Sequence, residues 1–221
     1  MKKVIVHSKL PVTLIGAGAF SQEFVKEALR HAPCLVAADG GVNVAVAMGL
    51  VPEAVIGDLD SASEAALSAV PKDQIWPVKE QDTTDFEKCL ARIKAPVILA
   101  VGFAGSRLDH LLAVFAALAR YPGCNCVVIG DEDVIFLAPR VLSLDLPAGT
   151  RVSLFPLGPV TGRSEGLEWP IAGIEFAPDG RIGTSNRVTG PVTLSFDAEK
   201  MLVLLPRDCL VAAIEALVPA D

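Results

Sequence analysis

Six aspartates and one arginine stand where an apolar run gives way to a helical pattern. Asp39 follows Cys34 to Ala38, and Asp58 and Asp60 follow Glu53 to Ile56. Asp82 and Asp85 open one helical stretch, while Arg107 and Asp109 open another. In an open parallel sheet the carboxyl ends of the strands and the following helix starts share one edge, where ligands bind. So many carboxylates on one rim repel each other and any anionic substrate unless a cation lies among them. An oxygen-only donor set selects a hard divalent ion, Mg²⁺ above all. Such an ion bridges carboxylates to a nucleoside triphosphate and offsets charge in the transition state. Arg107 is expected to meet phosphoryl oxygens with its forked guanidinium.

Each acid also has a plainer reading. Asp60 or Ser61 could cap a helix, with Ser61-Ala62-Ser63-Glu64 as a capping box. Asp82 or Thr83 could cap the next, with Asp85 favoured by the helix dipole. Capping explains neither Asp58, which precedes the cap position, nor Asp39 before Gly40-Gly41, nor Arg107-x-Asp109-His110.

Other motifs are weaker. Gly16-Ala17-Gly18-Ala19-Phe20-Ser21 is like a dinucleotide fingerprint, but Ser21 replaces the third glycine. It reads either as a phosphate-binding turn or as a tight turn into a helix. No G-x-x-x-x-G-K-[ST] occurs. Asp58-Leu59-Asp60 is like the aspartyl-phosphate phosphatase motif, but Ala62 stands where Thr or Val is wanted. His7 and His31 read as loop or helix-end residues, and His110 as a helix start or a site neighbour. No spacing suggests a Ser-His-Asp or Cys-His arrangement.

The elements that must position these residues alternate. Strands are expected at Val12 to Ile15, Cys34 to Ala38, Glu53 to Ile56, Val97 to Val101 and Val127 to Ile129. Helical patterns lie between them, near Ser21 to Arg30, from Gly41 through Met48, after Ala62, and over Leu111 to Ala119. Phe86, Cys89, Leu90 and Ile93 recur at i, i+3, i+4 and i+7, which predicts one amphipathic helix. Repeated strand–turn–helix implies right-handed crossovers and a mostly parallel sheet covered on both faces. From Val141 onward the runs shorten and alternate: Val141 to Leu146, Arg151 to Leu157, Val192 to Phe196 and Met201 to Leu205. Pro147-Ala148-Gly149, Pro178-Asp179-Gly180 and Thr189-Gly190-Pro191 read as the intervening turns. The expected fold class is therefore α/β: a mostly parallel three-layer α/β domain over residues 1–138, then a small all-β sandwich or barrel over 139–221.

Composition bounds the partners. The chain has 221 residues, 52% of them apolar, with 19 basic against 26 acidic side chains and a net charge of −7. That balance leaves no electrostatic footprint for nucleic acid or an anionic membrane. Five cysteines form no C-x-x-C pair and no zinc spacing, which points to reduced thiols and a cytoplasmic protein. No apolar run approaches ~18 residues, so no membrane span is expected. Lys2, Lys3 and the apolar stretch to Ala19 imitate a signal peptide, but Pro11 interrupts it and a helix follows at once.

The motifs, taken in order, resemble a known family. Ala38-Asp39-Gly40-Gly41, Gly57-Asp58-Leu59-Asp60-Ser61, Gln81-Asp82-Thr83-Thr84-Asp85-Phe86 and Gly102-x-x-Gly105-x-Arg107-x-Asp109-His110 resemble thiamine pyrophosphokinase (thiamine diphosphokinase). Gly166-Leu167-Glu168-Trp169 and Gly183-Thr184-Ser185-Asn186 resemble its thiamine-side segments. The resemblance implies an α/β catalytic domain and a β-sandwich, a homodimer with thiamine near the subunit interface, and ATP, thiamine and Mg²⁺ giving AMP and thiamine diphosphate. It places Asp39, Asp58, Asp60, Asp82 and Asp85 around Mg²⁺ and the phosphates, with Arg107 and Asp109 completing the site. Gly16, Gly18, Gly40, Gly102 and Gly105 would lie against the nucleotide. Thr184, Ser185, Asn186 and Trp169 would lie near thiamine, although Trp169 also reads as a core aromatic. Asp82 and Asp109 are the candidates to take the proton of thiamine's hydroxyl. The alternatives are a related Mg²⁺-dependent pyrophosphokinase acting on a hydroxymethyl-pterin, a non-catalytic nucleotide-binding regulator, and a phosphatase.

Overall fold

Aliphatic runs flanked by glycine build the first half of the fold. The computed structural model describes residues 2–105 and 107–218. Two compact units divide them: one runs up to Ala117 and includes Val128–Gly130, the other holds Leu118–Val127 and the chain from Asp131 on. Mixed α and β content, with more sheet than helix, characterises the whole.

The first unit contains β1 (Val6–His7), β2 (Val12–Ile15), α1 (Gln22–His31), β3 (Cys34–Ala38), α2 (Gly41–Ala47), β4 (Ala54–Gly57), α3 (Glu64–Ser68), β5 (Ile75–Pro77), α4 (Asp85–Leu90), β6 (Ile93–Lys94), β7 (Ile98–Val101) and most of α5 (Leu108–Arg120). Five strands pair in the order β5-β4-β3-β2-β7, every pair parallel. Every residue of β2, β3, β4 and β7 is buried, as strands flanked by crossover helices require. The sheet grows one way from β2 through β5, then β7 takes the opposite side of β2. The turns after β2 and β7 thus meet at a topological switch point, the usual place for a ligand crevice.

Local chemistry corrects three readings in this unit. Ser63, not Asp60 or Ser61, caps α3 by accepting from the Ala66 N–H at 3.2 Å. Thr84, not Asp82 or Thr83, caps α4 by accepting from the Glu87 N–H at 3.3 Å. The apolar repeat through Ile93 is no single helix: α4 stops at Leu90, and Ile93 joins β6 in parallel register with Val6. The first strand was not foreseen, and its backbone claims the segment that the repeat assigned to a helix.

The second unit follows β8 (Cys126–Ile129), which spans the division. It contains β9 (Asp133–Leu137), β10 (Val141–Leu144), β11 (Arg151–Pro156), β12 (Val160–Leu167), β13 (Glu175–Phe176), β14 (Gly183–Phe196), β15 (Met201–Pro206) and α6 (Leu210–Leu217). Neighbours β9, β15, β11, β14, β12 and β13 are antiparallel throughout, and β10 also pairs with β14. The expected turn at Thr189-Gly190-Pro191 is instead inside the 14-residue β14. Between the pairs Glu165↔Thr193 and Leu167↔Val188 only Gly166 faces the four residues 189–192, so Pro191 sits in a bulge where no ladder bond is asked of it. Gly166 has φ +73, and a Cβ there would lie 2.1 Å from the Pro191 carbonyl oxygen. Through the bulge β14 leaves β11, its partner over Gly183 to Arg187, and takes up β10 over Val192 to Ser195. No described helix is long and apolar enough to cross a membrane.

Candidate active site

The switch point of the first unit opens into a cavity of about 440 Å³. Its floor is two glycine turns drawn together: the Gly16 N–H donates to the Val101 carbonyl at 2.8 Å and the Gly18 N–H to the Gly102 carbonyl at 3.1 Å. A Cβ on Gly18 would stand 2.5 Å from the Gly102 carbonyl oxygen, so a side chain there would push the turns apart. Gly40 and Gly105 line the same space, as do Asp39, Asp85, Arg107 and His110. Phe86 and Phe103 form an apolar wall, their rings 4.7 Å apart and tilted by 50°.

Beside the cavity Asp39, Asp58 and Asp60 bring one carboxylate oxygen each within 4.8 Å of one another. Backbone conformation achieves this convergence. Asp39, directly after β3, has φ 43, and Leu59, between the other two, has φ 68. Non-glycine residues there are strained by about 1–3 kcal/mol each, and such strain collects at functional sites. The Asp39 N–H is anchored to the Ile56 carbonyl at 3.0 Å, and its Oδ2 accepts from the Ser61 N–H at 3.3 Å. Burial pushes the Asp39 carboxyl above the ordinary range, the Gly40 and Ser61 hydrogen bonds pull it down, and the charges of Asp85 and Asp60 add to the rise.

Sequence reasoning missed the residue that organises this cluster. Lys88 is 2% exposed, and its Nζ lies 2.9 Å from both Asp58 Oδ2 and Asp85 Oδ1. Burial alone would lower its pKa, but the hydrogen bonds and charges of Asp58 and Asp85 outweigh burial and raise it. The same hydrogen bond holds the Asp58 carboxyl below its usual value. Gln81 Nε2 reaches Asp58 Oδ2 as well, at 3.4 Å. Arg92 secures the helix from behind, donating to the Lys88 carbonyl at 3.1 Å and to Glu80 Oε2 at 3.2 Å.

In this cluster Asp39 Oδ1 and Asp58 Oδ1 are buried with no hydrogen-bond partner among the described residues. Buried carboxylate oxygens without partners are costly, and a divalent cation relieves that cost. The donor set is all oxygen and hard, so the residues present fit Mg²⁺. Asp85 lines the cavity and is tied into the cluster through Lys88. Asp82 is exposed and lies neither in the cluster nor in the cavity lining. Arg107 and Asp109 are both exposed and joined in a fork, Nε to Oδ1 at 3.2 Å and Nη2 to Oδ2 at 2.7 Å.

The residues expected near thiamine form a separate group in the second unit. Buried Asn186, on β14, ties down the bend that follows β12: its Oδ1 accepts from the Trp169 N–H at 3.2 Å and its Nδ2 donates to the Trp169 carbonyl at 2.7 Å. Ser185 has φ 61, and its N–H donates to Ser153 Oγ at 2.9 Å. Trp169 is no core aromatic: it is 52% exposed, with the Arg187 guanidinium 6.0 Å from its ring centroid. Thr184 is exposed on the same strand.

Two family models match, and between them they run through most of the chain. "Thiamin pyrophosphokinase, catalytic domain" matches residues 25–129, beginning after the Gly16–Ser21 turn. "Thiamin pyrophosphokinase, vitamin B1 binding domain" matches residues 141–201. A thiamine pyrophosphokinase of Arabidopsis thaliana is 28% identical over 193 residues, covering 72% of each chain. One from Oryza sativa is 25% identical over 221 residues, covering 84% of this chain and 82% of its own. Among solved structures, the thiamin pyrophosphokinase of Candida albicans superposes with a TM-score of 0.74 at 17% identity, covering 91% of this chain and 93% of its own. That of Geobacillus thermodenitrificans gives 0.72 at 23% identity, covering 89% and 97%. By its two matched domains in order, the chain belongs to the thiamine pyrophosphokinase family.

Proposed function

We propose that this chain is a thiamine diphosphokinase, moving the pyrophosphoryl group of ATP to the primary hydroxyl of thiamine with release of AMP. The observation that carries this reading is the glycine-floored cavity beside the unpartnered oxygens of Asp39 and Asp58, an arrangement suited to a magnesium polyphosphate. The match to a vitamin B1 binding domain supports thiamine as acceptor and disfavours a pterin alcohol.

Asp39, Asp58 and Asp60 would hold Mg²⁺, with Asp85 at its margin. Bound there, the ion would neutralise charge on the phosphate oxygens. Gly16, Gly18, Gly40, Gly102 and Gly105 let the triphosphate approach the backbone closely. Arg107 meets phosphoryl oxygens, and Asp109 orients its guanidinium. The thiamine hydroxyl oxygen forms a bond to the β-phosphorus as the bond from that phosphorus to the α–β bridging oxygen breaks. AMP leaves with that electron pair, and the hydroxyl proton passes to Asp82 or Asp109. Asn186, Ser185, Thr184 and Trp169 bind thiamine, whose cationic ring suits the exposed indole face.

The reading extends to organisation. Residues 1–138 serve as a three-layer α/β catalytic domain, and 139–221 as a β-sandwich for thiamine binding and dimerisation. The working form is a homodimer with thiamine near the subunit interface, which light scattering of the purified protein tests. Free thiols at Cys34, Cys89, Cys124, Cys126 and Cys209 support a cytoplasmic location. The decisive assay incubates thiamine with MgATP and resolves the products by mass. Thiamine diphosphate and AMP are expected; thiamine monophosphate with ADP would overturn pyrophosphoryl transfer.

A further inference from the structure

Lys88 stands apart from the other groups around the cavity because it is a buried cation within the site that is expected to bind one. Its ammonium holds Asp58 Oδ2 and Asp85 Oδ1 at 2.9 Å each and is 2% exposed. The other oxygen of Asp58, Oδ1, is buried without a partner. The two oxygens of one carboxylate are therefore treated differently: one is occupied by a fixed ammonium, the other is left open. Asp85 and Lys88 are both on α4, whereas Asp58 follows β4, so the same ammonium ties the helix start to the strand end. Arg92, gripping the Lys88 carbonyl, fixes the helix turn that carries it.

We propose that Lys88 is a positioning residue that restricts Asp58 to a single metal-facing oxygen and moderates how tightly the site holds a divalent cation. The proposal rests on the pyrophosphokinase reading for its purpose but not for its test. An ammonium a few ångströms from a divalent ion opposes that ion strongly at the low effective dielectric of a buried site. Without it the carboxylates face the ion uncompensated, and Asp58 is free to coordinate through both oxygens. The cation is then held more tightly, in a geometry that serves turnover less well. Arginine at the same place retains the charge and two donors, although its fork is bulkier.

The experiment measures Mn²⁺ binding to the purified full-length protein by calorimetry, without nucleotide or thiamine, in wild type, Lys88→Met and Lys88→Arg. Lys88→Met is expected to bind Mn²⁺ about tenfold more tightly than wild type, and Lys88→Arg within about threefold of it. Thermal unfolding gives a second readout: the rise in Tm on adding Mg²⁺ should be larger in Lys88→Met than in wild type. A kcat that falls in Lys88→Met while the KM for thiamine holds completes the expected pattern. Mn²⁺ affinity in Lys88→Met equal to or weaker than wild type would overturn the proposal. If Lys88→Met folds only when Mg²⁺ is present, the proposal is supported. If it folds under no condition, Lys88→Arg decides, and a change in its Mn²⁺ affinity beyond about tenfold overturns the idea. A wild-type protein that makes no thiamine diphosphate would sink the reaction assigned above and leave the Mn²⁺ comparison standing.

Discussion

The two candidate regions solve opposite problems. The rim of the parallel sheet gathers like charges, and its stability depends on compensation: Lys88 between Asp58 and Asp85, backbone N–H groups on Asp39, and two oxygens left for a cation. The Asn186–Trp169 wall is built from neutral amide and backbone hydrogen bonds and leaves an aromatic face in solvent. Yet both are set by the same backbone device. Among the described residues, the non-glycine positions with positive φ are Asp39, Leu59 and Ser185, two on the rim and one in the wall. Strain marks both places, so it reports that a side chain must be aimed; the surrounding charges report what it is aimed at. A polyphosphate needs the first arrangement, and a cationic heteroaromatic ring suits the second.

Removing charge from the rim should break this contrast most. Asp60 is exposed, and its Oδ1 accepts from Ser61 Oγ at 3.1 Å. Asp60→Asn is expected to lower kcat about 10²–10³-fold while the unfolding midpoint stays near wild type. Asp58→Asn should lose as much activity but also about 3 kcal/mol of stability, because it removes one of the two negative charges that compensate a buried ammonium. Denaturant melts beside turnover assays separate the two variants. Equal stability in both would mean that the rim does not depend on compensation. In the wall the order reverses. Asn186→Ala orphans the Trp169 N–H and carbonyl, and is expected to cost about 2 kcal/mol and to raise the KM for thiamine with little effect on that for ATP. Trp169→Ala should leave stability within about 0.5 kcal/mol, the indole being half exposed. Its KM for thiamine should rise about fivefold, the worth of one exposed cation–π contact. A rise in the KM for ATP in either wall variant would show that the two regions are not functionally separate.

The rim was legible from spacing because strand ends announce themselves. Asp39, Asp58 and Asp60 each follow a buried aliphatic run, and their shared edge follows from parallel topology alone. Lys88 was not legible. Its neighbours Phe86, Cys89 and Leu90 define an apolar stripe, and a lysine beside a stripe reads as solvent-facing. Only the fold shows that Asp58, 30 positions earlier, lies across from it. The one trace in the sequence is the i, i+3 spacing of Asp85 and Lys88. The caps were misassigned because several adjacent residues could serve, and Ser63 and Thr84 won by position. In the second unit, Gly190-Pro191 carries turn chemistry, but the residues that make it a bulge inside β14 belong to β12. The expectation of a break was chemically sound, yet the partner strand absorbed it.

A smaller effect tests how the rim is braced from behind. Glu80 accepts from Lys2 at 2.5 Å, Thr83 at 2.8 Å and Arg92 at 3.2 Å, and these contacts, Lys2 first, depress its pKa to about 2 from 4.5. A carboxyl whose folded pKa lies below its unfolded one stabilises the fold above the unfolded value. That stabilisation is lost as pH falls through the window from about 4.5 to about 2. Because Glu80 is partly exposed, solvent screening reduces its worth to about 1 kcal/mol. Glu80→Gln should therefore unfold more readily than wild type at pH 6, and the gap should close as the pH approaches 2. The Asn186 hydrogen bonds run to backbone groups that do not titrate, so Asn186→Ala should keep its deficit across the same range. If the Glu80→Gln deficit also persisted unchanged to pH 2, the charge of Glu80 would not be what secures Arg92 behind Lys88. The bracing would then come from the shape of the 80–84 loop, and the rim would differ from the wall only in its front layer of carboxylates.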